Sequence, residues 1–217
     1  MTVTTTTIIV IRHGETLWNV EARYQGHGDS PLTDRGRRQA DAVGLRLKAG
    51  AVERLIASDL GRTRETAALI ARHTGHAPEF DRRLRERSFG LLEGLTTDEI
   101  RSRHPSVLER LAANDPDYVI PGGESLRQHY KRNIDALEAC TAAHPGGTIA
   151  LIAHGGVLDS IFRFVTGMPL DRPRCVISQN ASLNVFRHGV FYDTSRWVIA
   201  SWGDTAHLEG ICSRSDG

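Results

Sequence analysis

Three short apolar runs, each halting on residues that carry chemistry, constrain this chain more than any other feature. Ile8-Ile9-Val10-Ile11 stops at Arg12-His13-Gly14, Leu55-Ile56-Ala57 stops at Ser58-Asp59, and Thr148 to Ala153 stops at His154-Gly155-Gly156. Unbroken apolar runs of this length suit strands buried on both faces of a parallel sheet. The segments between them read as helices. Thr33 can cap a helix through about Lys48, with Ala40, Val43 and Leu47 on one face and Gly50 closing it. Others run from Leu60 to about His73, with Gly75 as the stop, from Glu124 to about Ala143, and from Val157 to Val165. Ser182 to Phe186 and Trp197 to Ser201 are expected as the last strands. Strand–helix alternation at this pace predicts an α/β fold, a three-layer α/β/α sandwich with a mostly parallel sheet.

Residues 81 to 123 differ from the rest. They are rich in Arg, Glu, Gly and Pro, and the helical stretches Thr97 to Arg103 and Ser106 to Ala113 lack a strong apolar face. They read as an inserted lid, about 91–124, within a single domain spanning 1–217, and this lid is expected to set substrate choice. A chain of 217 residues, 40% hydrophobic, can bury one sizeable core without a disulfide or metal staple.

In open sheets of this kind ligands bind at the carboxyl ends of the strands. That rule brings Arg12 and His13, Ser58 with Arg62 just beyond it, and His154 with Gly155 to one sheet edge. A neutral imidazole is a good nucleophile at pH 7, because its reference pKa of ~6.5 leaves it largely unprotonated. Neighbouring arginines keep the ring neutral and hold a phosphate by paired hydrogen bonds. Gly14 and Gly155 let backbone N–H groups approach an anion closely. A histidine that attacks phosphorus makes a phosphohistidine, which water then discharges. With arginines neutralising the charge, no metal or other cofactor is required. The leaving oxygen needs a proton, and Glu86, with a raised pKa, is the expected donor.

Lys+Arg 27 against Asp+Glu 26 leaves a net charge of +1, so no bulk field recruits nucleic acid or an anionic membrane. The apolar runs fall far below the ~20 residues of a membrane span, and Met1 to Thr7 lacks the pattern of a signal peptide. Cys140, Cys175 and Cys212 are odd in number and form no C-x-x-C. A cytoplasmic protein acting on a small phosphorylated substrate, without nucleic-acid or membrane partners and self-associating as a homodimer, is the expectation. Rival chemistries lack their motifs. No cysteine is followed six residues later by arginine, and neither a P-loop nor paired Cys/His zinc spacing occurs. Asp115-Pro116-Asp117-Tyr118-Val119 fits D-x-D-x-[TV] but follows a helical, polar stretch instead of a strand, and reads as coincidence.

Arg12-His13-Gly14-Glu15-Thr16 with Trp18-Asn19 resembles the signature of the histidine phosphatase superfamily, whose fold is phosphoglycerate-mutase-like. The likeness continues through Tyr24-Gln25-Gly26, Pro31-Leu32-Thr33, Ser58-Asp59-Leu60-Gly61-Arg62-Thr63 and Leu84-Arg85-Glu86 with Gly90 and Glu93-Gly94. It ends with Pro121-Gly122-Gly123-Glu124-Ser125 and Ala153-His154-Gly155-Gly156, all in the family's order. The resemblance implies that His13 is the phosphorylated nucleophile, that His154 assists it, and that Glu86 is the general acid and then base. It implies phosphate contacts from Arg12, Asn19, Arg62, His154 and the Gly155 backbone, and a substrate mouth at Gln25 and Gly26. Mutases of the family carry an adjacent arginine pair in a longer lid. Between Leu91 and Ser125 the arginines here are Arg101, Arg103 and Arg110, none adjacent, which favours a phosphatase over a phosphoglycerate mutase.

Asn180 and Ser182 match a polar segment of the phosphatase-type members without an assigned chemistry. Glu15 is expected to be structural. The remaining histidines, His129 among them, are expected to be solvated or locally bonded.

Overall fold

A computed structural model describes residues 4–48, 50 and 52–211. Its six-stranded sheet has the order β3-β2-β4-β1-β5-β6. Strands β1 (Thr6–Arg12), β2 (Arg54–Ala57), β3 (Glu79–Phe80) and β4 (Thr148–Ala153) pair in parallel. Strands β5 (Leu183–Phe191) and β6 (Thr194–Asp204) add an antiparallel hairpin at the far edge. The central β1–β4 register runs from Thr7 opposite Thr148 to Arg12 opposite Ala153. His13 and His154 therefore leave the sheet side by side.

Helices cover both faces. On one, α6 (Leu126–Ala143) and α7 (Gly155–Thr166) bury Leu137, Val157, Leu158 and Ile161 against Ile8, Val10, Ile149 and Leu151. On the other, α2 (Asp34–Lys48) and α3 (Gly61–Thr74) pack Val43, Leu47, Ala67 and Ile70 against Ile11, Ala150 and Ile152. The central strands thus send alternate side chains into two cores, which explains their unbroken apolar sequence. The three-layer architecture matches the expectation.

Helix ends follow local chemistry. Thr33 Oγ1 accepts from the Gly36 N–H at 2.9 Å, Ser125 and Gln128 form a reciprocal cap on α6, and Gly75 closes α3 at φ 75°. The one-turn helix α1 (Leu17–Val20) begins on a Thr16–Asn19 reciprocal cap.

Four details depart from the sequence reading. Helix α7 starts at Gly155 and not Val157, because the Gly155-Gly156 pair is helical, not a loop. Strands β5 and β6 extend further and join through Tyr192 and Asp193, both at positive φ. Strand β3 spans two residues, too few to show a pattern. The lid helices α4 (Thr97–Arg103) and α5 (Pro105–Ala112) do have an apolar face. Ile100 and Val107 bury against Leu92 and Ile120, a small core assembled from four segments and so invisible in any one of them.

Asp115–Val119 lies beyond α5, where Asp117 pairs with Arg127 at 2.6 Å on the surface. Cys140 and Cys175 are free, and Cys212 and Met1 to Val3 lie outside the described residues. Among the described residues no helix is long and apolar enough to cross a membrane.

Candidate active site

His13 is buried just past β1, and its Nδ1 donates to its neighbour's carbonyl, Gly14 O, at 2.8 Å. A carbonyl can only accept, so the proton sits on Nδ1 and Nε2 keeps its lone pair. Burial, with Arg62 and Arg12 nearby, holds the ring's pKa well below the ordinary histidine value. His154 follows β4 and shares a 2.9 Å contact between its Nε2 and Ser58 Oγ, the hydroxyl at the end of β2. It too is held well below the ordinary value, by burial first and then by Arg62. Its Nδ1 is buried without a partner.

The guanidiniums are anchored from behind. Arg62, in the first turn of α3 and 1% exposed, donates to Gly28 O at 2.9 Å and Gly26 O at 2.8 Å. Arg12 donates to Ser178 O at 2.6 Å. Burial lowers Arg12 to about 10, with Arg174 and Arg62 adding to the effect and Glu86 opposing it. The Nε atoms of both arginines are buried without protein partners. Arg12 and Arg62 both line the cavity beside His13, two cationic donors that a tetrahedral oxyanion would satisfy.

The Oδ1 of Asn19 accepts from the Thr16 N–H at 3.2 Å and from Asn180 Nδ2 at 3.1 Å, which turns its amide N–H₂ away from those partners. Gln25 donates to Thr16 Oγ1 at 2.8 Å, and its Oε1 is buried without a partner. Gly26 sits at φ 55°, where an added Cβ would collide with the Glu93 carboxylate. Its carbonyl holds Arg62, and unlike Gln25 it does not line the cavity. Gly155 lies at the N-terminus of α7.

Glu86 accepts from the Arg87 N–H at 2.9 Å and the Gly156 N–H at 3.0 Å. Burial raises its pKa, but His129, those two N–H groups and Arg62 together outweigh burial and leave it below the ordinary carboxylate value. This corrects the expectation of a raised pKa. The other nearby carboxylates are fully engaged. Glu93 accepts from the N–H groups of His27, Gly28 and Phe89. Glu124 is held by Arg132 and the Ser88 N–H, Glu99 by Arg23 and Thr96, and Glu15 by Thr33 and Arg35.

Two lobes meet at Arg12 and Glu86. One, of about 260 Å³, is lined by His13, Asn19, Tyr24, Gln25, Arg62 and Phe89. The other, of about 350 Å³, is lined by Gly155, Arg174, Val176, Ile177 and Ser178. No residue of 91–124 lines either lobe. The lobes are bordered instead by residues 22–25, Phe89, Arg174 and residues 176–178. A larger cavity of about 540 Å³, beside Trp197 and Pro145, lies at the opposite end of the strands and holds none of these groups. Among the described residues no three His, Cys, Asp or Glu side chains group as metal ligands.

Sequence reasoning missed three neighbours. His129 is buried and locally bonded to Asn133, within the expectation, but it also stands 3.6 Å from Glu86, which the sequence did not suggest. Asn180 Nδ2 bridges His13 O and Asn19. Arg174 donates to Gly155 O at 2.9 Å and Ser178 Oγ at 2.7 Å. Only Asn180 had a signal, in its polar segment.

Residues 8–205 match a model of the histidine phosphatase superfamily, branch 1. The "Probable phosphoglycerate mutase GpmB" of Cronobacter sakazakii is 38% identical over 207 residues, covering 93% of this chain and 94% of that protein. The solved structure of YhfR from Bacillus stearothermophilus superposes with a TM-score of 0.85 at 33% identity, covering 94% of this chain and all of that one. A mycobacterial glucosyl-3-phosphoglycerate phosphatase, solved with VO3, gives a TM-score of 0.81 at 29% identity, with 91% and 98% coverage.

Proposed function

The chain belongs to the histidine phosphatase superfamily, branch 1, and within it we propose a phosphomonoester hydrolase that works through a phosphohistidine on a small phosphorylated metabolite. One observation carries this reading. The His13 ring has its proton tied to Gly14 O, leaving a nucleophilic Nε2 beside His154, Arg12 and Arg62. In the first half-reaction Nε2 bonds to phosphorus and the ester P–O bond breaks. Glu86 gives its proton to the departing alkoxide. In the second, water attacks phosphorus, the N–P bond breaks, and Glu86 takes the water's proton.

Arg12, Arg62, His154, the Asn19 amide and the Gly155 N–H hold the phosphoryl oxygens as charge redistributes over them. Arginines supply the positive charge, so the proposed enzyme works without a metal. The carboxyl of Glu86 is kept ionised partly by Arg62. A bound phosphate dianion neutralises that cation and raises the carboxyl toward the protonated form. The two lobes suit a small alcohol half, and Arg174 offers a cation in one of them.

The name carried by the Cronobacter relative favours a second reading, a phosphoglycerate mutase. Against it stands a lid without adjacent arginines, whose residues stay out of the cavity. The test is turnover of p-nitrophenyl phosphate in chelator, alongside 3-phosphoglycerate. Phosphate release from both supports hydrolysis. Isomerisation of 3-phosphoglycerate outpacing phosphate release supports the mutase, and no turnover of any ester defeats both.

A further inference from the structure

Glu86 has a neighbour that the reaction above leaves unused. His129, in the first turn of α6 and 1% exposed, places Nε2 3.6 Å from Glu86 Oε1 and 2.9 Å from Asn133 Nδ2. The Asn133 amide has its orientation set by its other partners. Arg132 donates to its Oδ1 at 3.2 Å, and its Nδ2 donates to Ser160 Oγ at 3.2 Å, while that hydroxyl donates to Gly156 O at 3.0 Å. Asn133 must therefore donate to His129 as well. The ring's proton sits on Nδ1, buried without a partner, and Nε2 presents a lone pair toward the carboxyl.

An acceptor gains nothing beside an ionised carboxylate, whereas a protonated carboxyl can donate to it. The groups facing the pair press the other way. Arg12 from β1, Arg62 from α3 and Arg87 favour the ionised carboxylate, as a charged His129 would, and burial opposes them. At His129 itself, burial and Arg132 from α6 keep the ring neutral against Glu86 and Glu124. The His13 and His154 rings are neutral. Apart from burial, the neutral His129 ring is thus the neighbour placed to support the acid form of Glu86, by accepting its O–H. A closure of roughly 0.7 Å would bring Nε2 to hydrogen-bond distance of Oε1.

We infer that His129 is a positioning residue for the acid form of Glu86, its Nε2 accepting the carboxyl O–H in competition with Asn133 and so retaining the proton that the leaving oxygen needs. When the O–H bond breaks toward the leaving oxygen, Nε2 returns to Asn133. When water later gives its proton to Glu86, the contact re-forms. Gly156 belongs to the same device, since a Cβ there would collide with Glu86 Oε1 and come within 2.9 Å of His129 Cε1.

The inference rests on the phosphatase reading, and its test separates the two. His129→Leu removes the acceptor, and His129→Gln keeps one. Both are compared with wild type on glycerol 2-phosphate, whose alkoxide must be protonated, and on p-nitrophenyl phosphate, whose phenolate need not be. The expected result is a loss in His129→Leu at least tenfold greater on the alkyl ester, with the basic limb of its pH profile moved to lower pH. His129→Gln recovers most of it. Equal losses on both esters with an unmoved limb, or Leu and Gln variants that behave alike, overturn the inference.

Wild-type enzyme with ¹⁵N-labelled histidine gives a check that needs no His129 variant. The His129 Nε2 resonance shows a titration step that vanishes in Glu86→Gln. A resonance with no such step overturns the inference, whereas a wild type inert toward both esters defeats the phosphatase reading instead.

Discussion

The ring of His13 lies 5.3 Å from that of His154, centre to centre, with the planes inclined at 59°. Two buried imidazoles so close, flanked by two guanidiniums, are compatible only while both rings stay neutral. Both are held well below the ordinary histidine pKa, each partly by Arg62. Such a cluster is stable with an anion beside it and strained by any added proton.

Replacing the proposed nucleophile tests the chemistry most directly. His13→Ala should lower kcat/KM for p-nitrophenyl phosphate by about 10³-fold or more. Acid-labile phosphate on the quenched wild-type enzyme, read by ³¹P NMR, should be absent from the variant. Turnover retained in His13→Ala would exclude His13 as the nucleophile.

Asn180 orients another side chain. Its Nδ2 donates to His13 O at 3.0 Å and Asn19 Oδ1 at 3.1 Å. Asn180→Ala frees the Asn19 amide to rotate and should weaken inorganic phosphate binding by roughly tenfold, the cost of about one hydrogen bond. Titration calorimetry with phosphate measures it. Unchanged affinity would show that Asn19 holds its orientation alone.

Gly156 leaves no room for a side chain. In Gly156→Ala the new methyl must displace Glu86 or His129. The loss should be concentrated in kcat for alkyl phosphates, with phosphate affinity largely kept, because Arg12, Arg62 and His154 are untouched. Steady-state kinetics on alkyl and aryl esters separate these outcomes.

Acid should destabilise the fold early. His13, His154 and His129 are buried neutral, and burial is the first cause in each. Their folded pKa values lie below the unfolded value of ~6.5, so the unfolded chain binds more protons, and stability falls as pH drops through about 6.5. For His129, lowered to about 4, this amounts to about 2 kcal/mol at pH 5 relative to pH 8. Urea denaturation at pH 8, 6 and 5 should show the decline, and added phosphate should offset part of it. A flat profile across that range would mean that the rings protonate in the folded state.

Some of the site was legible because it lies where strands end. Arg12-His13 and His154-Gly155 follow unbroken apolar runs, and the parallel register of β1 and β4 brings them level. Arg62 was legible as a cation in the first turn of a helix, a poor position without an anion. The protonation of Glu86 was not, because its partners come from Gly156, His129 and Arg62, far apart in the chain. The lid core is hidden for a similar reason, since Leu92, Ile100, Val107 and Ile120 each sit in a different short segment.

By itself the sequence determined the layered fold and the residues gathered at one end of its strands, because periodicity and strand ends are local properties that survive in one dimension. Only the tertiary structure decided which nitrogen of His13 is free, which lobes open beside it, and that His129 stands against Glu86. Hydrogen-bond direction and burial depend on what distant segments bring to the same point, and no local pattern encodes them.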